Sequence, residues 1–228
     1  MFNTKVKGVT FDFGGTLALG GLDKEGFRHD LLEYLRSLGF SGSESLVNKT
    51  RDGMLGRLMK ARDHNREIRL EDLYQDMLFK LGLHPEREVT DFIHQLYIRS
   101  FKVELIPGVE KILELLNVKY RLAIISNATS NVPREAMKRF GLEKYFDSIV
   151  ISRDIGIRKP DPEIFNFTLK NLGIKSDEAV HVGDSLEYDV RGAKNAGMRA
   201  VWIKRNNEEE NIQPDYTIHS LQELTLLL

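Results

Sequence analysis

The chain has 228 residues, 41% hydrophobic and 29% charged, the balance of a folded globular protein long enough for one large unit or two unequal ones. Its 33 Lys and Arg against 34 Asp and Glu leave a net charge of −1, so no excess charge favours nucleic acid or a membrane surface as partner. Cysteine is absent, which excludes disulfides, a thiol nucleophile and a thiolate metal site.

The opening residues, Met1 to Lys5, run into a strand without the apolar stretch of a secretory signal. No apolar run reaches the roughly 20 residues of a membrane span. A soluble cytoplasmic protein is the expectation. The first strand covers about residues 6–12 and is nearly continuous in Val, Thr and Phe, as a strand buried on both faces would be. Asp12 ends it, and Gly14, Gly15 and Thr16 follow as a tight turn whose bare amides suit an anion. Leu17 to Leu22 reads as a short loop. Helical periodicity then takes over to about residue 100. Phe27, Leu31, Tyr34, Leu35 and Leu38 form one stripe, stopped by Gly39. Met54, Leu55, Leu58 and Met59 form a looser one. Leu70, Leu73, Tyr74, Met77, Leu78 and Leu81 form a third, stopped by Gly82, and Val89, Phe92, Ile93, Leu96, Tyr97 and Phe101 a fourth. Four helices without an intervening strand imply a small inserted bundle.

After Pro107-Gly108 the pattern changes. A helix from Val109 to about Leu116 leads into the strand Arg121–Ser126; a helix starts at Asn131-Val132-Pro133 and stops at Gly141; Ser148–Ile151 is a strand. Asp161-Pro162 opens a helix that Gly173 closes, Glu178–Val182 is a strand, a helix runs to about Ala196, and Arg199–Ile203 is a strand again. Strands alternating with single helices mean a doubly wound parallel α/β sheet. The predicted organisation is a core of residues 1–16 and 105–228 with a helical unit, 17–104, inserted over the carboxyl ends of the strands, where open α/β sheets bind ligands. Arg205 to Asn211, with three consecutive glutamates, reads as a solvated loop.

Four polar features fall at or just beyond predicted strand ends: Asp12, Ser126-Asn127, Lys159, and Asp184 with Asp189 five residues on. Two carboxylates, Asp12 and Asp184, suit Mg2+, a hard cation with oxygen ligands. A hydroxyl and a lysine suit phosphate oxygens, and an Asp is a competent nucleophile toward phosphorus.

The set resembles the haloacid dehalogenase (HAD) superfamily, closest to phosphoglycolate-phosphatase-like members with a helical cap. Asp12-Phe-Gly-Gly-Thr16 matches the first motif, Ser126-Asn127 the second, Gly156-x-x-Lys159-Pro-Asp-Pro the third, and Gly183-Asp184-Ser185 with Asp189, running into Gly192-Ala193 and Gly197, the fourth. The resemblance implies that Asp12 is the nucleophile and that Asp12, the Gly14 carbonyl and Asp184 hold Mg2+. It implies that Thr16, Ser126, Asn127 and Lys159 hold the phosphoryl group, with Lys159 also orienting Asp12, and that Asp189 and Ser185 support the metal or the lysine from behind. The expected activity is phosphatase action on a small phosphorylated metabolite through an aspartyl-phosphate.

One position departs from the pattern. The family's phosphatases usually carry a second Asp two residues after the nucleophile as general acid and base, and this chain has Gly14 there. Related enzymes lacking that Asp include dehalogenases, which attack carbon without a metal, and phosphonoacetaldehyde hydrolases, which use a cap lysine as a Schiff base. The cap lysines Lys24, Lys49, Lys60 and Lys80 read as surface residues. The alternatives are therefore carbon–halogen or carbon–phosphorus cleavage, or a non-catalytic binding protein. His181 reads as a core residue or as support behind the site, and His29 and His64 as surface residues of the insertion, either of which would stand in for the missing acid only if it reached the site.

Overall fold

A computed structural model describes residues 5–205 and 212–228. In chain order the elements are β1 (Gly8–Phe11), β2 (Ala18–Leu22), helices α1 (Lys24–Ser37), α2 (Glu44–Arg62), α3 (Leu70–Lys80) and α4 (Arg87–Arg99), β3 (Phe101–Leu105), α5 (Val109–Asn117), β4 (Arg121–Ser126), α6 (Val132–Arg139), β5 (Ser148–Ile151), α7 (Ser152–Ile155), α8 (Pro162–Leu172), β6 (Ala179–Gly183), α9 (Arg191–Asn195), β7 (Arg199–Ile203), β8 (Tyr216–Ile218) and α10 (Leu224–Leu227). Six strands form one sheet in the order β5-β4-β1-β6-β7-β8, every pairing parallel. The chain builds outward from β1 to β4 and β5, then returns to β1's other edge with β6. That reversal opens a crevice at the carboxyl ends of β1 and β6.

The strands are apolar on both faces because both are covered. Val9 and Phe11 of β1, with Val180 and Val182 of β6, enter one apolar layer, while Ala179 of β6 and Ala200 and Trp202 of β7 enter the other. The helix signals read from the sequence act as expected. Asp161 caps α8 by accepting from the Glu163 amide at 3.0 Å, and Gly173 closes it at φ +64°.

Helices α1 to α4 gather a third apolar cluster of their own, around Leu31, Leu35, Leu73, Leu78 and Ile93. Truncating Leu78, which is wholly buried, would cost about 2–5 kcal/mol at such a site. Two expectations change here. Leu17 to Leu22 is not a plain loop, because Ala18–Leu22 pairs antiparallel with Phe101–Leu105. Phe101 accordingly leaves the helical stripe and begins β3, since Ser100 already ends α4. The antiparallel ribbon forms both strands of the passage between the sheet and the helices. The expected helix after β6 is also modified: it opens with a π-helical turn, Leu186–Val190, before α9. Of the predicted charged loop, residues 206–211 lie outside the described residues.

The loop between α2 and α3 is bonded to the sheet end. The Glu67 amide donates to Gly156 O at 3.0 Å, the Arg158 amide to Asn65 O at 3.1 Å, and the Leu70 amide to Thr129 O at 2.9 Å. Beside them His94 of α4 sits between Glu71 and Arg153. Its Nδ1 lies 2.9 Å from Glu71 Oε1, and its Nε2 accepts from the Asn131 amide at 3.1 Å.

Candidate active site

Asp12 follows β1, the Lys159 loop precedes α8, and Asp184 follows β6, so three segments distant in sequence meet in the crevice. The Lys159 ammonium, 1% exposed as a residue, donates to Asp12 Oδ1 and to Asp189 Oδ1, each at 2.6 Å. Asp189 also takes His181 Nε2 at 3.1 Å on Oδ1 and the Ser185 amide at 3.0 Å on Oδ2. Its acceptor sites are thus turned to positioning. A carboxylate only accepts, so His181 Nε2 carries the proton and Nδ1, 2.8 Å from Thr10 Oγ1, accepts from that hydroxyl. His181 is a core residue, edge-on to Phe165, as its sequence position suggested. One buried chain therefore runs Thr10, His181, Asp189, Lys159, Asp12.

Burial pushes the Asp12 carboxyl up to about 7, against the pull of the Lys159 charge. Burial also raises Asp184, helped by the charge of Asp189. For Asp189 the burial penalty is outweighed by Lys159 and His181, which hold it well below the usual carboxylate range. Burial would lower Lys159, but Asp12 and Asp189 outweigh it and hold the ammonium above its ordinary value. Burial keeps His181 below its ordinary value, hence neutral.

Carboxylate oxygens of Asp12, Asp184 and Asp189 come within 4.8 Å of one another. One lysine among three carboxylates leaves negative charge in excess, and Asp184 has no ammonium or guanidinium bonded to it among the described residues. The donor set suits a hard divalent cation. The turn supports the same fit. Gly15 has φ +85°, and a Cβ there would fall 2.1 Å from Asp184 Oδ2, so only glycine lets the turn approach that carboxylate. Arg205 fixes the turn from outside, its Nε donating to the Gly15 carbonyl and its Nη2 to Thr16 O at 3.5 Å.

The remaining predicted residues divide. Ser126 and Asn127 both line the cavity above Asp12. The side-chain amide of Asn127, however, is engaged with the main chain of Lys159, accepting from its N–H at 2.9 Å and donating to its C=O at 3.0 Å. Asn127 thereby fixes the lysine's position. Ser185 caps the turn after β6 by accepting from the Tyr188 amide at 3.1 Å, and it lines the cavity as well. Thr16 is wholly buried, does not line the cavity, and its Oγ1 has no hydrogen-bond partner.

The cavity encloses about 710 Å³ and is walled by the sheet end, the ribbon and the inserted helices. Among the described residues neither His29 nor His64 lines it, and neither do Lys24, Lys49, Lys60 or Lys80, all four exposed; Lys159 is its one lysine.

A family model described as haloacid dehalogenase-like hydrolase matches residues 9–203. The chain belongs to the haloacid dehalogenase-like hydrolases. Among this hydrolase's relatives, a glyceraldehyde 3-phosphate phosphatase of Methanocaldococcus jannaschii is 29% identical over 224 residues, covering 96% of this chain and 95% of that protein. A phosphoserine phosphatase of Thermus thermophilus is 33% identical over 159 residues, 68% of this chain and 64% of the relative. A solved 2-haloacid dehalogenase from Pseudomonas syringae superposes with a TM-score of 0.75 at 28% identity over 97% of both chains. A HAD phosphatase from Thermococcus onnurineus gives 0.64 at 29% identity, also over 97% of both.

Four groups of this hydrolase's site escape its sequence motifs. Arg205 stands two residues beyond β7, so the strand-end rule that found Asp12 and Asp184 reaches it too. Arg62 and Tyr97 from the insertion, and Arg158 from the loop before Lys159, line the cavity with no local signal.

Proposed function

We propose that this hydrolase is a Mg2+-dependent phosphatase for a small phosphorylated metabolite, working through an aspartyl-phosphate on Asp12, with residues 17–104 as the cap over the site. The observation that carries the proposal is the buried Asp12–Lys159–Asp189 triad beside Asp184. Lys159 occupies Asp12 Oδ1, which leaves Oδ2 to attack phosphorus. The new bond joins Oδ2 to phosphorus as the ester P–O bond breaks, and the leaving alkoxide takes its proton from solvent, since Gly14 offers none. Water then cleaves the acyl phosphate, releasing inorganic phosphate and restoring the carboxylate. Asp189 and His181 hold Lys159 aimed and charged, and Ser126 faces the phosphoryl group from the end of β4. Asp12, Asp184 and the Gly14 carbonyl would hold the metal, which when bound offsets charge on the transferring group.

Phosphatase names among the relatives support this choice over carbon–halogen cleavage, as does a carboxylate excess that suits a cation. The absence of a cap lysine from the described cavity wall disfavours a Schiff-base route. With Gly14 in place of the usual acid, substrates with good leaving groups, acyl phosphates among them, should turn over fastest. The test is phosphate release from a panel of esters and acyl phosphates, with Mg2+ and with EDTA. Release that needs metal and disappears in Asp12→Asn supports the mechanism; activity indifferent to both defeats it.

A further inference from the structure

The cavity carries a second polar centre that the phosphoryl chemistry leaves unused. Arg62, at the end of α2, and Arg158, in the core loop beside Lys159, both line it. Behind them lies one carboxylate, Glu67, whose side chain is fully buried. Glu67 Oε1 accepts from Arg62 Nε at 3.3 Å and Nη2 at 3.2 Å. Its Oε2 accepts from Ser152 Oγ at 3.1 Å and lies 3.6 Å from Arg158 Nε.

Two guanidinium groups thus share a single counter-charge. The Arg158 side chain is only 10% exposed, and its Nε has no hydrogen-bond partner. Its guanidinium lies 5.2 Å over the Tyr188 ring, which fixes its plane without neutralising it. One carboxylate cannot neutralise two guanidinium groups, and a guanidinium presents its donors in the planar fork that a carboxylate or phosphate matches. Glu67 occupies Nε and Nη2 of Arg62, so Nη1 stays outside that fork. The cavity is therefore polarised, with excess carboxylate at Asp12, Asp184 and Asp189 and excess guanidinium at Arg62 and Arg158.

We infer that Arg62 and Arg158 form a subsite for a second anionic group, so that the substrate is a short phosphomonoester bearing a carboxylate or a second phosphate. The inference rests on the reading above, in which the Asp12 end takes the phosphoryl group. The substrate is small because both arginines line the same cavity as Asp12 and Lys159, and that cavity encloses about 710 Å³. Arg62 belongs to the inserted helices and Arg158 to the core, so the second anion would join the two sides of the cavity. The relative called a glyceraldehyde 3-phosphate phosphatase is named for a substrate with no second anion, so the inference separates this chain from that specificity.

Binding of non-hydrolysable phosphonates, measured by calorimetry with Mg2+, tests it directly. The probes are propylphosphonate, 3-phosphonopropanoate and ethane-1,2-bisphosphonate, which differ in the terminal group alone. At least one of the two double anions should bind tenfold or more tightly than propylphosphonate, and the tighter one identifies the terminal group as carboxylate or phosphate. Arg62→Met and Arg158→Met should each reduce that ratio below threefold, with Arg62→Lys recovering part of it. Equal affinities for all three probes in the native protein would overturn the inference, as would a ratio that survives in both Met variants. If the Met variants do not fold, the native ratio alone decides. Turnover plays no part in these measurements, so a failure of the phosphatase reading would appear separately, as bound ligand without phosphate release.

Discussion

Replacing Lys159 by Met keeps the stem and removes the charge from between two buried carboxylates. Two charge-assisted hydrogen bonds of 2.6 Å are lost, each contributing about 1.5–3 kcal/mol. Removing one partner of a buried ion pair costs about 3–5 kcal/mol, because the other charge stays behind. The loss must also depend on pH. Burial already raises Asp12 to about 7, and without the lysine it rises further. A carboxyl whose folded value lies above its unfolded one keeps its favourable contribution at low pH and loses it as pH climbs through the folded value. The variant therefore recovers stability at acid pH, by up to about 1.4 kcal/mol per unit over the range where its Asp12 titrates and the native one does not. Lys159 itself, held above its ordinary value, stays charged throughout that range. Urea unfolding in EDTA at pH 6 and pH 9 measures both effects, and phosphate release should vanish because a protonated Asp12 cannot attack. A deficit below about 1 kcal/mol at pH 9, or one equal at the two pH values, would refute the reasoning.

Gly14→Asp should fold, since a Cβ at Gly14 meets nothing within 4 Å. If the missing acid limits ester hydrolysis, its rate should rise, by as much as about 10²-fold or more; an unchanged rate would mean that another group already protonates the leaving oxygen. Gly15→Ala should do the opposite, because its Cβ would collide with the Asp184 carboxylate at φ +85°. We expect about 1–3 kcal/mol of lost stability and a raised Mg2+ requirement in a metal titration of phosphate release. Between the insertion and the sheet, Glu71 sits at about 2: burial would raise it, but the hydrogen bonds from His94, its own backbone amide and Arg153 outweigh that. Such a depressed carboxylate contributes stability above its ordinary value of 4.5 and loses it as pH falls toward 2. Glu71→Gln should thus be less stable than the native protein at pH 6 and converge with it near pH 2, as read from urea midpoints followed by circular dichroism; a constant gap would contradict the assignment.

Much of this protein is written locally. Strands buried on both faces announce themselves as unbroken apolar runs, helix stripes end at glycines that enter the left-handed region, and Asp161-Pro162 marks a helix start by capping chemistry alone. Asp12 and Asp184 were legible for the same reason, as polar residues closing apolar strands, whereas the roles of Lys159 and Asp189 came from the motifs of the resemblance. The β2–β3 ribbon was not, because its partners flank the whole insertion. The glycines that make β2 read as a loop are part of the pairing, since a Cβ on Gly20 would lie 2.1 Å from Lys102 O. The three-residue β8 is too short to show a period. Nor does periodicity reveal that Asn127 clamps the Lys159 backbone, that Arg205 fastens the Gly15 turn, or that Glu67 braces arginines from two sides of the cavity. Hydrophobic spacing and caps depend on neighbours a few residues away, so sequence alone determines the elements and the chemistry at their ends. Hydrogen bonds and charge balance between segments remote in the chain exist only once those segments pack, and tertiary structure alone decided which side chains orient Lys159 and which bring excess guanidinium to the cavity wall.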